Sequence, residues 1–323
     1  MFRRTFLAAS AALAALVLSG PAAWAQKTYP DKPVTVIVAY SPGGANDTIG
    51  RLFADSLTKR TGQQFLVQNV TGANGSTGTA EAARAPADGY HLVLSGPSAL
   101  IQNPYLQEQT GFDDKSFAPI AKLATLDFVL VVRKDLGIKT VEELVKHSKD
   151  HADTLNYGSP GVGNTAHQIG ELLKARTGAD ITHVAYQGGA PAVTAFLAGE
   201  VDVLFNTVSE VMPYIQSGDA IPLATFSGER LTQLPDVPTI SEAGVENATF
   251  TSWIGLFTPA GTPQEVIDFL SAEVSAIIED KAVTDKLNQL GFRVGNDTPA
   301  NLAADIEAQK APLRELIDLT REK

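Results

Sequence analysis

An α/β architecture of two lobes, each an open and mostly parallel sheet flanked by helices, is what the sequence predicts. Three observations carry it. Short apolar, β-branched runs alternate with glycine-rich turns and helix-period segments, as βαβ units do. The series is complete by about residue 100 and a second one follows. The chain left after an N-terminal leader, roughly 300 residues, exceeds one ordinary core.

Residues 34–39 are apolar almost throughout and read as a parallel strand buried on both faces. The turn Ser41-Pro42-Gly43-Gly44 leads into a helix with Ile49, Leu52, Phe53 and Leu57 on one face, ending near Gly62. Strands follow at 65–70 and 91–94, with a short helix at 76–84 between them. The second series has apolar segments at 117–124 and 128–132. A helix at 140–147 is then opened by Thr140 and the acidic pair Glu142 and Glu143. Strands at 155–157, 182–185, 201–205 and 221–225 come next, with helices at 164–176 and 190–197. A strand at 253–257 and helical stretches after Pro263, Lys281 and Pro299 close the chain. Crossings near 124–128 and 244–250 divide it into a first lobe, 26–125 plus 246–323, and a second, 126–245. Two crossings in place of a Gly/Ser tether suit rigid-body closure over a cleft.

The leader is residues 1–25. Arg3 and Arg4 precede an apolar stretch from Phe6 to Leu18, and Ala23-Trp24-Ala25 supplies a small-x-small exit, the order of a secretory signal peptide. The stretch is too short to span a bilayer, and no later one is long and apolar enough. Removing Arg3 and Arg4 takes the formal charge from −11 to −11 − 2 = −13, which disfavours nucleic acid and anionic lipid as partners. The chain has no Cys, so disulfides, thiolate metal sites and a lipid-anchored cysteine are all excluded. A free periplasmic monomer is expected.

Function is concentrated in two glycine-rich strand-to-helix turns, since ligands of open α/β sheets bind beyond the carboxyl ends of the strands. Unpaired N–H groups and the positive end of the helix dipole face an anion there. The first turn offers Tyr40, Ser41, Gly43, Gly44, Ala45 and Asn46; Asp47 would repel an anion and reads as a cap or scaffold group. The second offers Ser159, Gly163, Thr165 and His167, and His167 suits packing as well as ligand contact. Asn206-Thr207, 71–75 and 95–98 are further polar turns that could contribute or simply be turns. Gly161 to Ala166 also fits G-x-G-x-x-A, the fingerprint of a dinucleotide site, but no acidic residue ends the next strand at 185–187. No nucleophile elbow, phosphate loop or H-E-x-x-H is present, and the five histidines lack metal-ligand spacing, so catalytic residues, metal and cofactor are all expected to be absent.

Several separated motifs resemble the extracytoplasmic binding proteins of tripartite tricarboxylate transporters, the Bug family. These are 29–33, Pro42-Gly43-Gly44 to Asp47 with Arg51, 87–90, Tyr157 to His167, 186–192 and 258–263. The resemblance implies a periplasmic-binding-protein, or Venus-flytrap, fold that grips a small carboxylate and passes it to integral-membrane transporter subunits. It implies ligand contacts by Ser41, Gly43, Gly44, Ala45 and Asn46 from one lobe and Ser159, Gly163, Thr165 and His167 from the other. The chain departs from the family pattern at Asn206, where many relatives look acidic, and at Val70-Thr71. A ligand-sensing adaptor for a signalling partner and a secreted α/β hydrolase are the rival readings.

Overall fold

The computed structural model describes residues 29–321 except 107–109 and 153, so the leader read at 1–25 lies outside the described residues. From Lys32 onward the chain clusters as one compact unit. The strands are β1 (Val34–Val38), β2 (Phe65–Asn69), β3 (His91–Ser95), β4 (Phe117–Arg133), β5 (Asn156–Ser159), β6 (Thr182–Ala185), β7 (Val203–Thr207), β8 (Ala220–Thr225), β9 (Thr251–Pro259) and β10 (Arg293–Asp297). The helices are α1 (Ala45–Thr61), α2 (Ser76–Ala83), α3 (Val141–Asp150), α4 (Thr165–Thr177), α5 (Gly189–Ala198), α6 (Val208–Ser217), α7 (Gln264–Glu279), α8 (Lys281–Gln289) and α9 (Pro299–Arg321). A π turn, Ser98–Gln102, runs on into one α turn, Asn103–Leu106.

All ten strands join one continuous sheet in the order β2-β1-β3-β9-β4-β7-β5-β6, with β8 and β10 also on β4. Pairing is parallel within β2-β1-β3 and within β7-β5-β6. It is antiparallel wherever β9 or β4 takes part. β1 is buried on both faces, with Val34, Val36, Ile37 and Val38 at most 2% exposed, as its unbroken apolar run requires. α1 buries Ile49, Phe53 and Leu57 and ends at Gly62, whose φ of 74° lets its N–H bond back to Thr58.

The segments 117–124 and 128–132, expected as separate pieces, form the single 17-residue strand β4. Asp127 reads as a break in the apolar pattern, yet it is 2% exposed because Arg293 of β10 holds both its oxygens, at 2.6 and 2.8 Å. β4 pairs with β9 up to Asp127 and with β7 from Phe128 onward. It therefore feeds two apolar clusters. Phe117 packs with Ile37, Val93, Phe112, Trp253 and Phe257, its ring meeting Phe112 and Phe257 edge-on at 6.2 and 6.5 Å. Val129 and Val131 pack with Val193, Phe196, Leu204, Val211 and Leu231 on the other half. Each such side chain contributes about 1.5–3 kcal/mol of burial, so both halves have a core of their own.

The helical turns 98–106, α6 and β10 were not expected from the sequence. α6 follows β7 directly and carries Pro213 within it, burying Val208, Val211 and Met212. β10 adds an antiparallel edge to β4.

Candidate functional site

The carboxyl ends of β1 and β5 face each other, so the two glycine-rich turns meet. They share a cavity of about 60 Å³ lined by Tyr40, Ser41, Gly44, Ala45 and Asn46 from one side and Pro160, Asn164, Thr165, Asn206 and Glu210 from the other. Next to it lies a larger cavity of about 620 Å³, which has Tyr40 and Pro160 in common with the first. Its wall is the loop 71–75, Asn103 and Leu106 opposite Gly161, Val162, Gly163, His167, Gln168 and Tyr186. No Lys, Arg, Asp or Glu lines the larger cavity, so its wall offers shape and neutral polar groups. Consecutive residues of its loop hold positive φ: Gly72, Ala73, Asn74 and Gly75, at 132°, 47°, 51° and 87°. Local strain of that kind persists only where the surroundings fix it, and it concentrates at binding sites.

Polar contacts cross the cleft at five places. Ser41 Oγ donates to Gln187 O at 2.5 Å and Ala45 N–H donates to Glu210 Oε1 at 2.7 Å. Ser98 Oγ lies 3.1 Å from Thr165 Oγ1 and accepts from Thr165 N–H at 3.3 Å. Gln102 Nε2 donates to Gln168 Oε1 at 2.6 Å, and Asn164 Nδ2 donates to Asn74 Oδ1 at 3.3 Å.

The main-chain donors that the turns were expected to hold out to an anion are largely occupied from within. Gly43 N–H donates to Asp47 Oδ2 at 2.9 Å, and Asp47 also accepts from Arg51 and Asn69, which makes it a scaffold group. These partners hold the Asp47 carboxyl below its ordinary range despite the opposing effect of burial. Gly163 N–H donates to His167 Nδ1 at 3.2 Å. Gly43 and Ser159 line neither cavity. Ser159, fully buried, is bound to His183 Nε2 at 2.7 Å and to Gly161. Burial and the nearby His167 depress the His183 imidazole to about 4, and burial also lowers His167. Neither Ser159 nor His183 lines either cavity, and their contact packs the second turn. Among the described residues no group of three His, Cys, Asp or Glu side chains could hold a metal, and no helix is long and apolar enough to cross a membrane.

Tyr40, Ser41, Gly44, Ala45, Asn46, Thr165 and Asn206 are brought together at the small cavity, and Tyr40, Gly163 and His167 line the large one. Glu210, Trp253, Gln168 and Asn103 are lining residues that sequence reasoning missed. Glu210 could have been found as an acidic residue three positions after the Asn206-Thr207 turn, on the first turn of a helix. Burial pushes its carboxyl above the usual range; the Ala45 N–H draws it part of the way back, as does the Asn206 amide, close by but out of hydrogen-bond geometry.

Residues 49–319 match the model of the tripartite tricarboxylate transporter family receptor. A protein of a Pseudomonas species, the UPF0065 protein in the tcbD-tcbE intergenic region, is 32% identical over 304 residues, covering 94% of this chain and 90% of that one. A Rhodopseudomonas palustris protein solved with adipate superposes with a TM-score of 0.88 at 30% identity, covering 90% of this chain and 98% of the other. MatC of the same organism, solved with bound malate, gives 0.84 at 28%, covering 90% and 100%.

Proposed function

The chain belongs to the tripartite tricarboxylate transporter receptor family, whose members are solute-binding receptors and not enzymes, and we propose that it captures one small carboxylate in the periplasm and delivers it to integral-membrane transporter subunits. The observation that carries this reading is the pair of helix starts, α1 and α4, converging on one enclosed polar cavity that opens beside a neutral, mostly apolar one. A carboxylate seated in the polar cavity lies on the positive end of the α4 dipole, whose caps are neutral, and its substituent fills the larger space. Adipate and malate in the two related structures are ligands of this chemistry. Ser41, Gly44, Asn46, Thr165 and Asn206 are the candidate head-group contacts, with Tyr40, Gly163 and His167 around the substituent. The division into lobes 26–125 plus 246–323 and 126–245 is part of the proposal. It is supported by the exchange of β4 partners between Asp127 and Phe128 and by β9 starting at Thr251.

A thermal-shift screen of the mature protein against mono- and dicarboxylates and their amides tests the reading. Stabilisation follows RT ln(1 + [L]/Kd), about 2.7 kcal/mol at 100-fold excess over Kd. Amides that stabilise as well as their acids would overturn it.

A further inference from the structure

His167 lines the large cavity and also shapes the turn that forms part of its wall. Gly163 N–H donates to its Nδ1 at 3.2 Å. A backbone amide can only donate, so Nδ1 is unprotonated and the neutral ring carries its proton on Nε2. The turn held in this way is the one that meets the facing side of the cleft. Gly163 stands at φ 75°, and a Cβ there would fall 2.7 Å from Leu106 Cδ1. Its neighbour Asn164 donates across the cleft to Asn74 Oδ1 at 3.3 Å and caps Ala166 N–H at 2.9 Å. One acceptor atom thus fixes a turn that both closes the cleft and starts α4.

The surroundings oppose a charge on that ring. Of the titratable and charged groups around it, Glu171 and Lys174 come from its own helix, Tyr157 from β5 and His183 from β6. Glu171 is the one carboxylate among these four, and it already accepts from Tyr157 Oη at 2.8 Å and Lys174 Nζ at 2.9 Å. The His183 ring lies 4.1 Å away between centroids and is itself bound to Ser159 at 2.7 Å. α9 also packs against α4, and its described charged groups turn to other partners: Asp305 to Lys122, Glu307 to Lys310, and Arg314 and Asp318 to Tyr105. Burial moves the His167 imidazole below its ordinary 6.5 against the pull of Glu171. An imidazolium here would set a second donor against Gly163 N–H, turning a hydrogen bond into a repulsion.

We propose that His167 is a positioning residue of the binding site: its neutral ring holds the Gly163 turn against the facing wall, and protonation of the ring releases the turn and with it the bound carboxylate. This rests on the carboxylate capture proposed above and adds the condition under which capture ends. The ring is neutral above its folded pKa, which lies below 6.5, so affinity holds at neutral pH and falls as pH drops beneath that pKa.

Two measurements on the mature protein test it. In amide NMR spectra from pH 7.5 to 4.5, the Gly163 signal moves together with the titration of the His167 ring. In isothermal titration, succinate, adipate, benzoate and phenylacetate are the probes, against wild type, H167A and H167N. Asn places an acceptor near the position of Nδ1 and does not titrate. For each acid that binds, H167A loses about tenfold or more at pH 7.5 and H167N recovers most of that loss. The ratio of wild-type to H167N affinity cancels the acid's own titration, and it falls about threefold or more by pH 4.5. A flat ratio, an H167N as weak as H167A, or a Gly163 amide that ignores the ring overturns the role of His167 and leaves carboxylate capture intact. Should either variant fail to fold, the joint movement of the Gly163 amide and the ring in wild type decides. Binding of none of the four acids counts against carboxylate capture, and the Gly163 amide then decides the hold on the turn by itself.

Discussion

The two helix starts that meet at the small cavity grow from the same kind of glycine-rich turn and are finished in opposite ways. α1 has Gly44 at its N-cap and no side-chain cap; its donors are taken by carboxylates, Asp47 from its own first turn and Glu210 from across the cleft. α4 is finished entirely by neutral groups: Asn164 caps Ala166 N–H, the Ser98 hydroxyl takes Thr165 N–H and the His167 ring takes Gly163 N–H. Neutral caps satisfy the N–H groups without cancelling the dipole, so the α4 start still attracts an anion, while the α1 start already has two. A glycine-rich turn therefore marks a helix entrance, and the groups brought to it from elsewhere decide what charge it will accept.

The sharpest test of that contrast is Asp47→Ala. It strips Gly43 N–H, Arg51 and Asn69 of their shared acceptor at a residue 4% exposed, and should lower unfolding free energy by about 3 kcal/mol in urea titration. A loss below about 1 kcal/mol would mean that the α1 start does not depend on its internal carboxylate. At the neutral entrance, Asn164→Ala removes a cap and Ser98→Ala a contact across the cleft. Each should cost about 1 kcal/mol, and near-additive losses in the double variant would show that they act independently.

A further effect lies in pH, and its sign differs between the entrances. Folding holds His183 near 4 against an ordinary 6.5, so the unfolded chain binds more protons in that window and stability falls as pH drops through it. Glu210 is shifted upward from 4.5, so the folded chain binds more protons above that value and stability falls as pH rises. Urea midpoints measured from pH 4 to 8 should lose their acid slope in His183→Gln and their alkaline slope in Glu210→Gln. Unchanged slopes in either variant would remove that group from the comparison.

Much of this was legible beforehand because its causes are local. The unbroken β-branched run of β1, the apolar face of α1 closed by Gly62, and the Thr140 cap are written in neighbouring residues. What escaped depends on distant partners. Pro213 argues against a helix at 208–217, and only burial of Val208, Val211 and Met212 in the second core overrides it. Asp127 looks like a turn until Arg293, 166 positions away, is seen to hold it inside a strand. Glu210 is unremarkable in sequence because nothing near it reveals that its carboxylate ends at Ala45, 165 positions away. Gly43 and Gly163 escaped for a different reason: their acceptors, Asp47 and His167, stand only four positions on, but the motif alone presents the N–H groups as open.

β4 belongs to both halves of the sheet, and that makes it a shared reading frame for two interiors. Alternate residues of a strand point to opposite sides, so deleting one residue at Leu126 would leave 117–125 in phase with β9 while reversing every side chain of 128–133 against β7 and β8. Val129 and Val131 would then leave their core together, although nothing in that core had been altered. A protein that ties its two walls with one unbroken strand gains a common alignment for the cleft between them, and loses the freedom to let either wall drift in length on its own.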